Sequence, residues 1–345
     1  MTYKLAIIGI GTVGCGLLEI LVSKKDMLKQ KYDADYIVTA ISDLYRGSVY
    51  APEGLDIAAI LKHLDDGNNL NDFSAEANGW DAIQTIQQSG ADILVEASFT
   101  DAETGEPATT HIREAFAEGM HVVTTNKGPL LHAYDELKEM AQSKNLNFGF
   151  EGAVLSGTPV FGLIDSCLQG NSLTSIKGIL NGTTNYILCE MEKGLDYETA
   201  LKQAQDAGYA EAVPDMDVDG TDAQTKAIIL ANVVMGKKLT ADDVTCEGIT
   251  NITSADIAAA QTEGFRYKLI ATIEQTANGV TASVAPQKLP LSDPLAGVSG
   301  PVNAVSFQCD LLGETAIVGP GAGKMATGFA LLKDLIDIAR CNEKK

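Results

Sequence analysis

Near its start the chain reads Leu5-Ala6-Ile7-Ile8-Gly9-Ile10-Gly11-Thr12-Val13-Gly14, an apolar run followed by glycines at G-x-G-x-x-G spacing. The apolar run predicts a buried strand, and the amphipathic segment from Val13 to about Leu28 predicts a helix after the glycine turn. In a dinucleotide site the glycines allow a tight turn, close approach of the backbone to a pyrophosphate, and close packing of helix on strand. The helix start adds unpaired N–H groups that bind phosphate. We therefore expect a dinucleotide-binding domain with cofactor contacts at Gly9, Gly11, Thr12, Val13 and Gly14.

The end of the next predicted strand, residues 36–41, bears on the choice of cofactor. An acid at this point hydrogen-bonds a ribose 2′-hydroxyl and favours NAD, whereas an arginine binds a 2′-phosphate and favours NADP. The chain carries both, as Asp43 and Arg46. We expect use of both cofactors with a preference for NADP. The alternative is that Asp43 only starts a turn and that Arg46 is solvated.

Strand and helix patterns alternate up to residue 150, which predicts an α/β fold with a Rossmann-type, doubly wound parallel sheet. Ligands of such sheets bind at the carboxyl ends of the strands. Ser98 and Thr100 follow one predicted strand, and Lys127 follows another. We expect these three side chains to face the cofactor, although most lysines in loops are solvated.

The pattern changes at the glycine-broken segment 151–159, which is either a plain linker or a segment whose free carbonyls line a cation site. Mixed helix and strand patterns follow, with a hairpin turn near residues 277–279. A second glycine-rich helix start at 319–324 is not a Walker A loop, because Lys324 is followed by Met325. We expect a dinucleotide-binding domain at 1–150 plus about 319–345, and an α+β substrate and dimerisation domain at 151–318.

An acidic stretch from Glu211 to Asp222 precedes Lys226. Asp222 and Lys226 are four residues apart on a helix predicted to begin near Thr221, so both lie on one helical face. The stretch is either a solvated acidic loop or a socket for a small zwitterion, with acids for an ammonium group and a lysine for proton transfer. Upstream, the turn 181–185 opens a helix whose N–H groups and hydroxyls suit a carboxylate.

The composition limits location and partners. A net charge of −21 disfavours nucleic acid, because that binding relies on clustered Lys and Arg. No apolar run reaches the roughly 18 residues of a membrane span, and the N-terminus shows no signal peptide, so we expect a cytoplasmic protein without a membrane partner. The six cysteines form no C-x-x-C pair, which disfavours a zinc site.

Taken in order, the motifs resemble homoserine dehydrogenase over essentially the whole chain. The blocks that carry the resemblance are Gly9-x-Gly11-x-x-Gly14, Thr125-Asn126-Lys127-Gly128-Pro129, Glu151-Gly152-Ala153-Val154, Asn181-Gly182-Thr183-Thr184-Asn185, Gly208-Tyr209-Ala210-Glu211 with Asp217, Asp222 and Lys226, and Gly321-Ala322-Gly323. The resemblance implies NAD(P)-dependent hydride transfer between aspartate 4-semialdehyde and L-homoserine, in threonine and methionine biosynthesis. The chain ends soon after Arg340, so we expect a monofunctional form without a regulatory domain.

The same resemblance implies roles for individual residues. Lys226 and Lys127 would flank the reacting oxygen, and Asp222 would hold Lys226 and the substrate. Glu211 and Asp217 would bind the substrate ammonium in a pocket shaped by Tyr209, Thr183 and Gly182, while Gly208 and Gly323 would contact the cofactor. Oxygens of Glu151, Val154, Ser156 and Thr158 would surround a monovalent cation, Na⁺ or K⁺, and at Ser156 only the backbone role carries over.

Two other functions fit the same residues. Another Rossmann amino-acid dehydrogenase and a non-catalytic nucleotide-sensing module stay open, whereas aspartate-semialdehyde dehydrogenase would need an activated cysteine that we do not find.

The strand pattern of the second lobe bears on the assembly state. Predicted strands in 265–288 carry small apolar residues on both faces, and we expect helices of one chain to cover only one of these faces. We therefore expect a symmetric homodimer built on the second lobe, which the resemblance also implies.

Overall fold

The computed structural model describes residues 1–343. The chain divides into two compact units: unit 1 is Met1–Gly157 together with the segment from Gly323 onward, and unit 2 is Thr158–Ala322. Within the described part, no helix combines the length and the apolar character needed to cross a membrane.

Unit 1 is built on a seven-stranded sheet. Its strands are β1 (Thr2–Ile8), β2 (Asp35–Asp43), β3 (Gly47–Tyr50), β4 (Ala77–Asn78), β5 (Ile93–Glu96), β6 (His121–Thr124) and β7 (Phe148–Gly149). Its helices are α1 (Thr12–Tyr32), α2 (Ile57–Asp65), α3 (Ala82–Gln88), α4 (Ala108–Ala117), α5 (Gly128–His132), α6 (Tyr134–Ser143) and α7 (Gly152–Leu155), and the last helix of the chain, α14 (Lys324–Glu343), returns to this unit.

The sheet order is β4-β3-β2-β1-β5-β6-β7, and the five strands β2, β1, β5, β6 and β7 run parallel. Alternate residues of β1 point to opposite faces: Leu5 and Ile7 pack in one apolar cluster with Leu17 of α1, whereas Ala6 and Ile8 pack in a second cluster. Helices therefore cover both faces, and the predicted doubly wound parallel sheet is confirmed. Strand order reverses at β1, so the ligand crevice lies between the carboxyl ends of β1 and β5.

The antiparallel edge formed by β3 and β4 was not predicted. These strands have only four and two residues, too short for a clear alternating pattern. Tertiary packing holds them instead, because Tyr50 of β3 stacks on Trp80 with ring centroids 4.6 Å apart.

Unit 2 contains a six-stranded, mainly antiparallel sheet in the order β13-β12-β8-β10-β11-β9. Its strands are β8 (Leu173–Ile179), β9 (Val244–Cys246), β10 (Phe265–Thr276), β11 (Gly279–Pro290), β12 (Val302–Cys309) and β13 (Gly313–Pro320). Its helices are α8 (Phe161–Cys167), α9 (Gly182–Glu192), α10 (Tyr197–Asp206), α11 (Asp215–Val218), α12 (Thr221–Met235) and α13 (Ser254–Thr262). The predicted hairpin turn joins β10 and β11 at residues 277 and 278.

The expectation that one chain covers only one face of this sheet is wrong for its centre. Residues 268–271 of β10 are buried consecutively, from Lys268 at 0% exposure to Ala271 at 1%. Successive strand residues point to opposite faces, so both faces of β10 are covered within a single chain. The edge strand β13 differs, because every second residue along it is exposed.

Candidate active site

The glycine loop of unit 1 follows from backbone sterics. Gly9 has φ +93°, and a Cβ there would lie 2.3 Å from the carbonyl oxygen of Ala97. A Cβ on Gly14 would lie 2.3 Å from the oxygen of Gly9. Glycine is therefore favoured at both positions, since a side chain at either one would force the neighbouring backbone to shift.

Gly11 is glycine for a different reason. No atom lies within 4 Å of the position that its Cβ would occupy. Gly11 precedes the first turn of α1, where Thr12 and Val13 begin the helix and N–H groups lack intrahelical partners. The open space over this helix start is where an incoming pyrophosphate would approach the backbone.

Asp43 ties the end of β2 to the glycine loop. Its Oδ2 accepts a hydrogen bond from Ile10 N at 2.8 Å, and its Oδ1 accepts from Tyr45 N at 2.9 Å and Arg46 N at 3.0 Å. Asp43 thus does start a turn, as the alternative held, but it also fixes the glycine loop. Arg46 is exposed. Burial raises the pKa of the Cys15 thiol on α1, and the charge of Arg46 opposes that rise, so Arg46 lies near the start of this helix.

The other predicted residues of unit 1 lie at neighbouring strand ends. Ser98 and the exposed Thr100 follow β5, and the half-buried Lys127 follows β6 immediately before α5. Because β5 and β6 are parallel neighbours, these residues share one edge of the sheet. Gly323, at φ +126°, immediately precedes α14.

In unit 2 the helical spacing of Asp222 and Lys226 produces an ion pair. Lys226 Nζ donates to Asp222 Oδ2 at 2.6 Å and to the backbone oxygen of Leu180 at 2.8 Å. The two side chains are only 13% and 11% exposed. Two acceptors thus fix the direction of the ammonium group, which distinguishes this lysine from a solvated one.

Asn181 makes hydrogen bonds to two predicted site residues, Asp217 and Asp222. The sequence had not predicted a role for Asn181 itself. Its Nδ2 donates to Asp217 Oδ1 at 2.6 Å and to Asp222 Oδ2 at 3.1 Å. Its Oδ1 accepts from Thr184 N at 2.9 Å and caps α9. The N-cap position was readable from the sequence, but the link to acids 36 and 41 residues away was not.

The protonation of Asp217 depends on this arrangement. Burial raises the pKa of Asp217 above its ordinary value of 3.8, the hydrogen bond from Asn181 opposes the rise, and the charge of Asp222 adds to it. Such a carboxylate gains from a cationic ligand, because a cation restores the charged form.

The other residues predicted near the substrate or the cofactor in unit 2 are Thr183, Tyr209, Gly182 and Gly208. Thr183 Oγ1 donates to the oxygen of Tyr209 at 2.6 Å, and the ring of Tyr209 lies 5.0 Å from that of Tyr186. Gly182 begins α9, and a Cβ there would lie 3.0 Å from the oxygen of Pro301. Gly208, at φ +74°, has open space around it.

Glu211 is not part of the Asn181 cluster. The residue is exposed, and its backbone oxygen accepts from Gln205 Nε2 at 3.2 Å. Among the described contacts its carboxylate has no hydrogen bond or ion pair. Of the two acids expected to bind an ammonium group, only Asp217 therefore belongs to the Asn181 cluster.

The candidate cation segment contains α7. Glu151 precedes this one-turn helix, Val154 lies within it, and Ser156 ends it with φ +53°. A helix end leaves carbonyl oxygens without intrahelical partners, and the carbonyls of Val154 and Ser156 lie at this end of α7. Thr158 belongs to unit 2, where its Oγ1 donates to Pro320 O at 2.9 Å.

Charged residues of α14 hold this segment. Glu151 Oε2 lies 2.7 Å from Lys333 Nζ, and Glu151 N donates to Asp334 Oδ2 at 2.8 Å. Full burial raises the pKa of Asp334 to about 7. Burial acts to lower the pKa of Lys333, but the carboxylates of Asp334 and Glu151 outweigh it and raise that pKa.

Comparison with known proteins decides the family. The sequence model of homoserine dehydrogenase matches residues 159–336. An NAD(+)-dependent homoserine dehydrogenase of Pseudomonas canavaninivorans is 42% identical over 99% of this chain and 98% of its own length. The chain belongs to the homoserine dehydrogenase family.

Solved structures agree over nearly the whole chain. A structure from Archaeoglobus fulgidus, assigned to homoserine dehydrogenase, has a TM-score of 0.88 and 35% identity over 98% of this chain and 99% of that one. A hyperthermophilic archaeal homoserine dehydrogenase mutant in complex with NADPH has a TM-score of 0.84 and 28% identity over 99% and 98% of the two chains. Both neighbours match at full length.

Membership in the homoserine dehydrogenase family settles the reaction class. The protein is a nicotinamide-dependent oxidoreductase that interconverts L-homoserine and aspartate 4-semialdehyde. The family resemblance and the function inferred from the sequence are thereby confirmed. The reading as a non-catalytic nucleotide-sensing module is set aside.

Proposed function

We propose that unit 2 binds L-homoserine and that Lys226 exchanges the proton of its reacting hydroxyl. The observation that carries this proposal is the buried Asp222–Lys226 pair, 2.6 Å apart and joined to Asp217 through Asn181. The cluster combines an acid suited to an ammonium group with a directed proton donor, which are the two groups that a hydroxylated amino acid requires.

The chemistry follows from these positions. The nicotinamide ring supplies or accepts the hydride. In the direction of aldehyde reduction the carbonyl oxygen gains negative charge, and Lys226 stabilises it and donates a proton. In alcohol oxidation Lys226 accepts that proton as the C–H bond breaks. We assign Lys127 as a second cation for this oxygen, and Asp222 as the group that orients Lys226.

The substrate's own charges fix its orientation in this proposal. Asp217 binds the ammonium group, with Glu211 joining it in the liganded protein. The first N–H groups of α9, beginning at Gly182, bind the carboxylate, as helix starts do with anions. Thr183 and Tyr209 line the pocket between these ends.

We propose that unit 1 binds the cofactor and that both NAD and NADP serve. The relative from Pseudomonas is named for NAD⁺, and the archaeal structure contains NADPH. In this chain the Asp43 carboxylate accepts three backbone hydrogen bonds, while Arg46 is exposed and free to approach a 2′-phosphate. These features favour a preference for NADP with NAD as a working alternative.

We also propose a monovalent cation, Na⁺ or K⁺, at the oxygens of Glu151, Val154, Ser156 and Thr158. The support is the carboxyl end of α7, where the carbonyls of Val154 and Ser156 lie beyond the last helical hydrogen bonds. The cation would order the backbone of this segment, without a place in the hydride transfer itself.

A homodimer built on unit 2 is proposed from its edge. Leu311 and Leu312, in the turn before β13, are 77% and 57% exposed, and Val318 on β13 is 54% exposed. An exposed apolar edge strand is suited to pairing with a second copy. Light scattering should give twice the 36.4 kDa of one chain, and a mass of a single chain at micromolar concentration would contradict the dimer. We propose a cytoplasmic location, with neither nucleic acid nor membrane as a partner.

One assay tests the proposed function. Purified protein is mixed with L-homoserine and either NAD or NADP, and the nicotinamide absorbance is followed. We expect reduction of both cofactors, with the lower KM for NADP. No reduction of either cofactor would contradict the proposed activity, and a lower KM for NAD would contradict the cofactor preference alone.

A further inference from the structure

A cluster of buried polar side chains lies at the carboxyl ends of β5 and β6. Glu96 and Thr124 are fully buried, Asn126 is 2% exposed and His111 is 5% exposed. A carboxylate removed from water is costly unless it is hydrogen-bonded. The cluster therefore needs either a structural or a functional reason.

Glu96 holds the residues that follow both strands. Its Oε1 accepts from the backbone N of Ser98 at 3.2 Å and from the Ser98 hydroxyl. Its Oε2 accepts from Thr124 Oγ1 at 3.1 Å. His111 Nδ1 lies 3.4 Å from Oε1. One carboxylate thus joins the segment after β5 to the end of β6.

Asn126 links the same two segments through further hydrogen bonds. Its backbone N donates to Thr124 Oγ1 at 3.0 Å, its Nδ2 donates to Phe99 O at 3.0 Å, and its Oδ1 accepts from Gly128 N at 3.1 Å. Lys127 lies between the two residues held in this way. The backbone of Lys127 is therefore fixed against the segment 98–100 by side chains that do not face solvent.

We propose that Glu96 is a positioning residue that holds Ser98 and Lys127 in the relative geometry needed for hydride transfer. The inference rests on the proposed function, which places both of these residues against the cofactor and Lys127 also at the reacting oxygen. Glu96 itself touches neither ligand. It acts by giving an anionic acceptor to donors in both loops, and such bonds are shorter and stronger than neutral ones.

Glu96→Gln tests this with little change in volume. The amide removes the negative charge, and its NH2 group takes the place of one acceptor oxygen, so the donors of Ser98 and Thr124 no longer share an anionic acceptor. We expect kcat to fall about tenfold or more, because small displacements of reacting groups are costly. KM for L-homoserine should stay within about twofold, since unit 2 is unchanged. The primary isotope effect with L-homoserine deuterated at its carbinol carbon should rise, because the chemical step becomes slower.

Matched variants separate positioning from general stability. Thr39 is also fully buried in unit 1, and its hydroxyl donates to Leu5 O at 3.3 Å, away from both loops. Thr39→Val should lower the melting temperature and leave kcat and the isotope effect unchanged. If Glu96→Gln fails to fold, the pair Thr124→Val and Thr124→Ser decides: valine should reproduce the fall in kcat, and serine, which keeps the hydroxyl, should restore most of it.

The inference is overturned by a folded Glu96→Gln protein with wild-type kcat and isotope effect, by Thr124→Val with wild-type kcat, or by an equal loss in Thr39→Val. Failure of the proposed function is distinguishable, because it shows as absence of homoserine oxidation in the wild type. In that case the affinity for reduced cofactor, measured by fluorescence, decides. Weaker binding in Glu96→Gln but not in Thr39→Val would support the positioning role. Equal binding in both variants would overturn it.

Discussion

Lys226 Nζ lies 2.6 Å from Asp222 Oδ2 one helical turn away, and the two side chains are 11% and 13% exposed. The chain contains a second pair at the same spacing, Lys202 and Asp206 on α10, whose side chains are 67% and 64% exposed. The same spacing therefore gives a solvated surface pair on one helix and a buried, directed lysine on another. Burial, not spacing, makes the difference in chemistry.

Asp222→Asn should lower kcat about 10- to 100-fold, because Lys226 keeps its amine but loses the charged partner that orients it. KM for the cofactor should not change, since Asp222 lies in unit 2. Steady-state kinetics with L-homoserine varied and the cofactor saturating checks this. Asp206→Asn is the matched control, and an equal fall in kcat for both variants would show that the buried pair has no special role.

Asn181→Ser should move the acid limb of the kcat/KM profile for L-homoserine to higher pH. Ammonium binding needs ionised Asp217, so affinity is lost as the pH falls through the pKa of that carboxyl, which burial already raises above 3.8. The Asn181 hydrogen bond opposes the rise, and its removal raises the pKa further. Serine keeps an oxygen that can cap α9, so the helix start is retained.

The control for this profile is Asn232→Ser on α12, whose amide donates to Leu239 O at 2.9 Å and has no contact with the acids among the described hydrogen bonds. Its acid limb should match the wild type. An unshifted limb in Asn181→Ser would contradict the assignment of Asp217 to the ammonium group.

Gly11→Ala and Gly14→Ala should separate binding from folding. A methyl group at Gly11 meets nothing in the free protein, so the melting temperature should be unchanged while cofactor affinity falls about tenfold or more as the methyl blocks the pyrophosphate. A methyl group at Gly14 would lie 2.3 Å from Gly9 O, and we expect a loss of about 1–3 kcal/mol in unfolding free energy. Calorimetry and cofactor titration check both. Unchanged affinity in Gly11→Ala would place the pyrophosphate elsewhere.

Arg46→Ala should raise KM for NADP about tenfold or more and leave KM for NAD nearly unchanged, because a hydrogen bond to a charged group contributes about 1.5–3 kcal/mol. Arg113→Ala is the control, since Arg113 binds Glu136 at 2.6 Å on the surface of the same unit. Parallel changes for NAD and NADP in Arg46→Ala would show that this arginine does not discriminate between them.

Features encoded locally could be predicted from the sequence. The spacing of Gly9, Gly11 and Gly14 specifies one turn, and the four-residue spacing of Asp222 and Lys226 specifies one helical face. Each depends only on the conformation of a few consecutive residues. The helix α12, predicted to begin near Thr221, begins there in the structure.

Features that depend on long-range packing could not. The contact of Asn181 with Asp217 spans 36 residues, and that of Glu96 with Thr124 spans 28. Neither pair has a spacing that a period of helix or strand would reveal. The buried Lys268 was missed for the same reason, since its ammonium group finds Val298 O, 2.7 Å away, only in the folded chain.

The central claim is that Lys226 transfers the proton in homoserine oxidation, and the most direct test compares wild type with Lys226→Met. Nicotinamide absorbance is followed with saturating L-homoserine and cofactor, and cofactor affinity is measured separately by fluorescence. We expect reduction by the wild type, a loss of turnover in the variant of about 100-fold or more, and cofactor affinities that agree within about twofold. Wild-type turnover in Lys226→Met would contradict the role of Lys226 in proton transfer.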